Sequence, residues 1–296
     1  MINEFKTYHP LVNLIYFAFI IGFSCVFLHP VFLGISLCGA FSYSVILKGK
    51  KAIKTNILYM LPTALFMAVL NPVFNHKGVT IISYLPDGNP LTLESMVYGI
   101  CAAVMIISLI CWFLCLNEVI TSDKIVYLFG RILPSLALML SMTLRFVPRF
   151  IQQFKNVAEA QEGISNDGSK NTILKRIKNT VRVISIVITW ALENGVDTAD
   201  SMKARGYGTK RRSSFSVFRF DGRDGITLAL ILCLGIYIIL GRVFGGVDYT
   251  YFPSMNFIYK TPYSTSIFLA FALMVFIPTI IELLEKLKWN VIKSKT

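Results

Sequence analysis

Apolar residues in this chain are grouped in long blocks. The runs Leu11–Leu28, Val31–Leu47 and Met96–Leu116 contain no charged residue. A helix that crosses a bilayer needs about 20 apolar residues, with roughly 17 to 25 as the usual range, so each run predicts a span. Ile57–Leu70 is shorter and holds Pro62. It extends at either end, and proline is tolerated in lipid where neighbouring helices satisfy the freed carbonyl. Ile226–Leu240 and Thr265–Ile281 complete six predicted spans, four before the middle of the chain and two after it. The first run is not read as a cleaved leader, because its flank is weakly basic, no A-x-A site follows, and His29-Pro30 turns the chain straight into the next span.

Between the fourth and fifth spans the pattern changes to a helical period. Leu136, Leu140, Leu144, Val147, Ile151, Phe154 and Ala158 recur at spacings of three and four, and so do Ile173, Ile177, Val181, Ile184, Ile188 and Ala191. Two long amphipathic helices are predicted, crossed or antiparallel, separated by the turn signal Ser165-Asn166-Asp167-Gly168-Ser169. The second runs to Arg205, where Gly206 and Gly208 provide a stop. The first carries Leu138, Met139 and Met142, with Pro134 and Pro148 read as internal. Flexible, polarizable methionines either fill packing gaps or suit an adaptable docking surface. Arg145 and Arg149, four apart, share a face on which lipid phosphate or solvent is the ordinary partner. The organisation expected is all-α and polytopic: residues 1–120 with four spans, 121–225 as the coupling-helix region, and 226–296 with one or two spans.

Composition agrees with a membrane chain. Of 296 residues 55% are hydrophobic and 15% charged, with a mean hydropathy of +0.63, whereas soluble domains carry about 25% charged residues. The formal charge is +13, and its placement says why. Lys48–Lys54 is strongly basic, while the loops Asn71–Ser95 and Gly241–Ser264 hold few Lys or Arg. The positive-inside rule puts the basic loop, both termini and the insert Asn117–Gly225 in the cytoplasm of a plasma-membrane protein. That insert holds 17 of the 29 basic residues and 10 of the 16 acidic ones. Lys210-Arg211-Arg212 and Arg219 read as an anchor to anionic lipid, and nucleic acid is not an expected partner.

The six cysteines, Cys25, Cys38, Cys101, Cys111, Cys115 and Cys233, all lie in apolar runs and read as small buried hydrophobes. None sits in a C-x-x-C and there are three histidines, so no metal site, disulfide framework or cofactor is expected. No G-x-x-x-x-G-K-S/T, H-E-x-x-H or G-x-S-x-G occurs. The chain is not expected to be an enzyme, and any use of ATP falls to other subunits.

The most specific stretch is Glu193–Gly208, which contains A-D-S-M-K-A-R-G-Y-G. With it stand Asn71-Pro72-Val73-Phe74-Asn75-His76-Lys77-Gly78, Leu91-Thr92-Leu93-Glu94-Ser95, Thr121-Ser122-Asp123-Lys124 and Arg145-Phe146-Val147-Pro148-Arg149. Together these resemble the transmembrane T component of energy-coupling factor (ECF) transporters, the family that includes cobalt-transport membrane proteins. The resemblance implies a subunit joining two cytoplasmic ABC-type ATPases to a membrane substrate-binding S component, for uptake of vitamins or transition-metal ions. It implies that Ala204, Arg205 and Gly206 seat in an ATPase groove, with Arg205 meeting acidic side chains. A planar guanidinium grips a carboxylate bidentately, and the small neighbours allow close backbone approach. The other reading of Arg205 is a cation complementing its own helix dipole.

The family usually carries a second such motif at the end of the first helix. Setting Ala158 against Ala199 places Ile164 where Arg205 stands and Ser165 where Gly206 stands. The first arginine is absent, so the Gln161, Gly163 and Ile164 end is expected to make a more apolar ATPase contact. Leu138, Met139 and Met142 are the implied docking positions for the S component.

Two other classes compete. Asp200-Ser201-Met202-Lys203-Ala204-Arg205 faintly echoes the D-G-x-x-A-R opening of CDP-alcohol phosphotransferases, but the glycine after the first Asp is missing, and Asp221 and Asp224 fall in a different arrangement. A self-contained secondary transporter usually places ionisable residues within its spans, and these spans have almost none.

Overall fold

The computed structural model describes residues 4–84, 89–164, 173–207, 218–247, 249–255 and 262–295. Its helices are α1 (Glu4–Thr7), α2 (Pro10–Val26), α3 (Pro30–Lys48), α4 (Lys50–Phe74), α5 (Leu93–Val119), α6 (Ser122–Ile132), α7 (Pro134–Ile164), α8 (Ile173–Ala204), α9 (Gly222–Val243) and α10 (Pro262–Lys295). A small antiparallel hairpin, β1 (Ile81–Tyr84) and β2 (Pro90–Thr92), precedes α5. All six predicted spans are helices. Five are long and apolar enough to cross a membrane, and α2, at 17 residues, is shorter. The chain is an all-α, multi-pass membrane protein.

It divides into two compact units: residues 1–124 with 218–296, which hold the spans, and residues 125–217. In the first unit α2, α3, α9 and α10 share a core with α5, and α4 packs on α5. Trp112, Tyr16, Tyr43, Phe17, Phe271 and Val275 are fully buried there. Lipid offers no hydrogen bonds, so polar side chains turn inward and satisfy one another. Trp112 Nε1 donates to Ser36 Oγ at 3.0 Å, Ser36 and Ser24 share a bond of 2.7 Å, and Tyr16 donates to the Val275 carbonyl at 3.0 Å.

Two helices start the same way. His9 and His29 each precede a proline, and their Nδ1 atoms accept from the backbone N–H two residues on, at 3.3 and 3.2 Å. Proline at the first helical position gives up an N–H that has no partner there anyway, and the imidazole satisfies the next.

One close helix contact is at Gly39. A Cβ there would lie 1.9 Å from Val275 Cγ1, with Trp112 behind it. Gly39→Leu is expected to cost about 3 kcal/mol through overpacking of α3 against α10. A lower thermal midpoint of the detergent-solubilised chain, followed by Trp fluorescence, checks this; an unchanged midpoint contradicts it.

Three expectations are corrected. Lys48–Lys54 is not a loop: α3 ends at Lys48, Gly49 takes φ +61°, and Lys50, Lys51 and Lys54 stand on the first turns of α4. Glycine alone adopts that conformation without strain, so one residue joins the two helices. Of the cysteines, Cys101, Cys111 and Cys115 are buried but Cys25, Cys38 and Cys233 are exposed. A span facing lipid on one side is apolar all round, so hydrophobic surroundings in sequence do not distinguish its two faces. Pro134 is not internal but opens α7. The turn at Ser165–Ser169, Gly208 and Lys210–Arg212 lie outside the described residues.

At the end of the first unit near the N-terminus, a polar seam joins three helices to the chain start. Phe5 N–H donates to Glu282 Oε1 at 3.2 Å, His9 N–H to Asp224 Oδ1 at 3.1 Å, and Lys124 Nζ to the Lys6 carbonyl at 2.6 Å. Burial, with Lys6 alongside, lowers the Lys124 ammonium to about 8, so at neutral pH it remains mostly protonated and donates.

Candidate functional site

The second unit is built from most of α6 with α7 and α8. Helices α7 and α8 touch at the Arg149 guanidinium, which lies 5.6 Å from the Trp190 ring centroid and donates to Asn194 Oδ1 at 3.5 Å. The Phe150 ring meets Trp190 edge-on at 6.0 Å. Arg149 thus has a partner inside the chain that its spacing did not reveal. On α8, Asn179, Val183, Val187, Trp190 and Asn194 are buried or half-buried. The predicted apolar stripe faces elsewhere: Ile173, Ile177, Val181, Ile184 and Ile188 are exposed, as are Leu136, Leu140, Leu144, Val147, Ile151 and Phe154 of α7. Leu138 and Met139 are exposed, Met139 to 62%, and Met142 is half-buried.

The contact joins matching positions. The register that sets Ala158 against Ala199 also sets Arg149 against Trp190, so Ile164 and Arg205 each lie fifteen residues beyond the contact. At 1.5 Å of rise per residue both arms are about 22 Å long. Two helix ends of equal reach therefore extend beyond the Arg149–Trp190 contact.

At the end of α8, Gly206 has φ +79°. Its N–H donates to the Lys203 carbonyl at 2.9 Å, and the Tyr207 N–H reaches back to the Met202 carbonyl at 3.0 Å. This paired pattern around a left-handed glycine closes the helix with main-chain atoms alone. Arg205 sits at the cap, exposed, between exposed Ala204 and half-buried Gly206. Asp200, the acidic residue one turn back, pairs with Lys203 at 3.6 Å. Arg205 has no ion pair among the described residues, and a site of this kind is open to an external carboxylate.

The end of α7 differs chemically. Ile164 is its last residue and is 79% exposed, Gly163 is exposed with open space around its α-carbon, and Gln161 is half-buried. Ser165 lies outside the described residues.

The structure also unites two segments quoted above. The Thr92 hydroxyl donates to the Lys77 carbonyl at 3.0 Å, and Glu94 accepts from the Thr80 N–H at 3.2 Å and from the Thr80 hydroxyl. Gly78 has φ +152°, and a Cβ there would fall 2.5 Å from Glu94 Oε2, so Asn71–Gly78 and Leu91–Ser95 form one structural knot. Asp221 and Asp224 cap α9, Asp224 accepting from the Asp221 and His9 N–H groups. Their carboxylates serve backbone amides.

Comparison with known proteins places this geometry. The profile of the cobalt transport protein family, CbiQ, matches residues 3–217. The chain belongs to this family. Its relatives include the protein named energy-coupling factor transporter transmembrane protein EcfT from Bacillus selenitireducens, 29% identical over 112 residues, 38% of this chain and 42% of that protein. The protein of the same name from Lactobacillus helveticus is 30% identical over 106 residues, 35% of this chain and 38% of its own length. An uncharacterized protein from Mycoplasma pneumoniae is 25% identical over 180 residues, 57% of this chain and 42% of that one. The chain thus matches about two-fifths of the length of these relatives. Profile and resemblance agree on the family, and the profile covers the first four predicted spans and the two long helices α7 and α8.

Proposed function

We propose that this CbiQ-family chain is the transmembrane coupling subunit of an ATP-driven ECF-type importer of a vitamin or transition-metal ion. It joins two cytoplasmic ATPases to a membrane S component and does no chemistry itself. The observation that carries this reading is the pair of helix ends at equal reach from the Arg149–Trp190 contact, one presenting a main-chain-capped Arg205 with no ion pair among the described residues. Ala204, Arg205 and Gly206 dock in one ATPase, with Arg205 gripping a carboxylate. Gln161, Gly163 and Ile164 dock in the other through an apolar contact. The two ATPase contacts are therefore chemically unequal.

ATP binding changes the spacing of the ATPases. The helix ends follow, and α7 and α8 carry the movement to an S component seated on their exposed apolar faces at Leu138, Met139 and Met142. The basic first turns of α4 and both termini lie on the cytoplasmic side. The names carried by the relatives support this assembly.

Purifying the tagged chain in mild detergent tests the reading. Two ATPase chains and a small hydrophobic membrane protein are expected to copurify. Recovery of the chain alone, with metal-dependent phosphotransferase activity, overturns it.

A further inference from the structure

The N-terminal helix α1 is held by side chains from four other helices. Lys124, in the first turn of α6, is 3% exposed and donates to the Lys6 carbonyl at 2.6 Å. With the Asn13 amide turned so that its oxygen faces the ammonium, that oxygen accepts a second bond at 2.7 Å and its nitrogen donates to the Phe5 carbonyl at 3.1 Å. Glu282 of α10 takes the Phe5 N–H, and Asp224 of α9 takes the His9 N–H just after α1. The Phe5 ring is fully buried, 5.3 Å from Tyr16 and 6.2 Å from Tyr43. A segment pinned in this way is a strap.

Beyond Lys124 the helical ladder scarcely breaks. The Leu133 N–H donates to the Phe129 carbonyl at 2.8 Å, and the Ala137 N–H to the Leu133 carbonyl at 3.1 Å. A Cβ on Gly130 would lie 3.3 Å from Ala137 Cβ. Leu133 is the one non-helical residue between α6 and α7, so α6 leads directly into the helix that ends at Ile164.

Burying an ammonium is costly unless its donors are satisfied. A methionine would fill the same slot without that cost but would fasten nothing. We infer that Lys124 is a positioning residue for coupling, fastening the first turn of α6, which leads into α7, to the α1 strap and through it to α9 and α10. Movement imposed at Ile164 then reaches the membrane helices instead of being absorbed in the first turn of α6. The inference rests on the function proposed above, and its test separates the two.

The test uses the complete assembly purified through the tagged chain, wild type against Lys124→Met, reconstituted in liposomes. The variant is expected to retain its ATPases at wild-type ratio and hydrolyse ATP within twofold of wild type, while uptake per ATP falls at least tenfold. In hydrogen exchange on the solubilised chain, the Phe5 and His9 amides are expected to exchange at least tenfold faster. Unchanged uptake per ATP, or unchanged exchange at both amides, overturns the inference. Where Lys124→Met does not accumulate, Lys124→Gln is read in the same way, since its shorter amide keeps a polar group in the slot but stops short of Lys6. Absence of ATPases from the wild-type preparation sinks the proposed function instead, while the exchange measurement still judges the strap.

Discussion

Arg205→Glu is expected to weaken ATPase binding by about 100-fold or more and to abolish uptake, with the chain still folded. Removing one partner of a desolvated charge pair costs about 2–5 kcal/mol, and each 1.4 kcal/mol is about tenfold in affinity. Reversal adds repulsion from the carboxylate that the arginine is proposed to meet. Folding is spared because the cap is closed by the Gly206 and Tyr207 amides, and the Arg205 side chain is exposed. Copurification and circular dichroism of the variant check both halves. Ile164→Asp is expected to be the weaker lesion, because it disturbs the proposed apolar contact at the other end. If Ile164→Asp abolished copurification while Arg205→Glu left it unchanged, the division of roles between the two ends would be wrong.

Trp190→Ala is expected to uncouple the assembly without releasing the ATPases. The substitution removes the surface under the Arg149 guanidinium and the edge contact with Phe150. A cation–π contact is worth about 0.5–2 kcal/mol and an aromatic pair about 0.5–1.5 kcal/mol, so the α7–α8 contact loses about 1–3.5 kcal/mol before any loss of buried area. Both docking ends stay intact, yet the arms no longer pivot about a fixed point. The expected result is a fall of at least tenfold in uptake per ATP hydrolysed, with ATPases still copurifying. Full coupling in this variant contradicts the role given to the contact.

The spans were legible because lipid imposes a demand that sequence displays directly: long charge-free runs, since no water is present to satisfy a broken backbone. Arg205 was legible for a similar reason, since a glycine after a long amphipathic run marks where a helix must stop. The face on which α7 and α8 meet was not. Its contacts come from Trp190 and Asn194, on a side of α8 whose covered positions also include Asn179, Val183 and Val187, so hydropathy points to the exposed isoleucine stripe instead. Lys124 is visible in the sequence only as the last residue of Thr121-Ser122-Asp123-Lys124. A lysine in a polar stretch reads as solvated, and its bond to a carbonyl 118 residues away leaves no local signature. The four-residue α1 and the hairpin are too short to show a period, and the His-Pro starts of α2 and α3 need the imidazole geometry to be recognised as caps.

Site-specific photo-crosslinking tests the central claim most directly. A photoreactive residue is placed in turn at positions 205 and 164 of the chain in native membranes, with position 288 as control. Adducts with an ATPase chain from both helix ends, and none from the control, are expected. Failure of both ends to capture an ATPase, while the assembly is otherwise intact, would contradict the account.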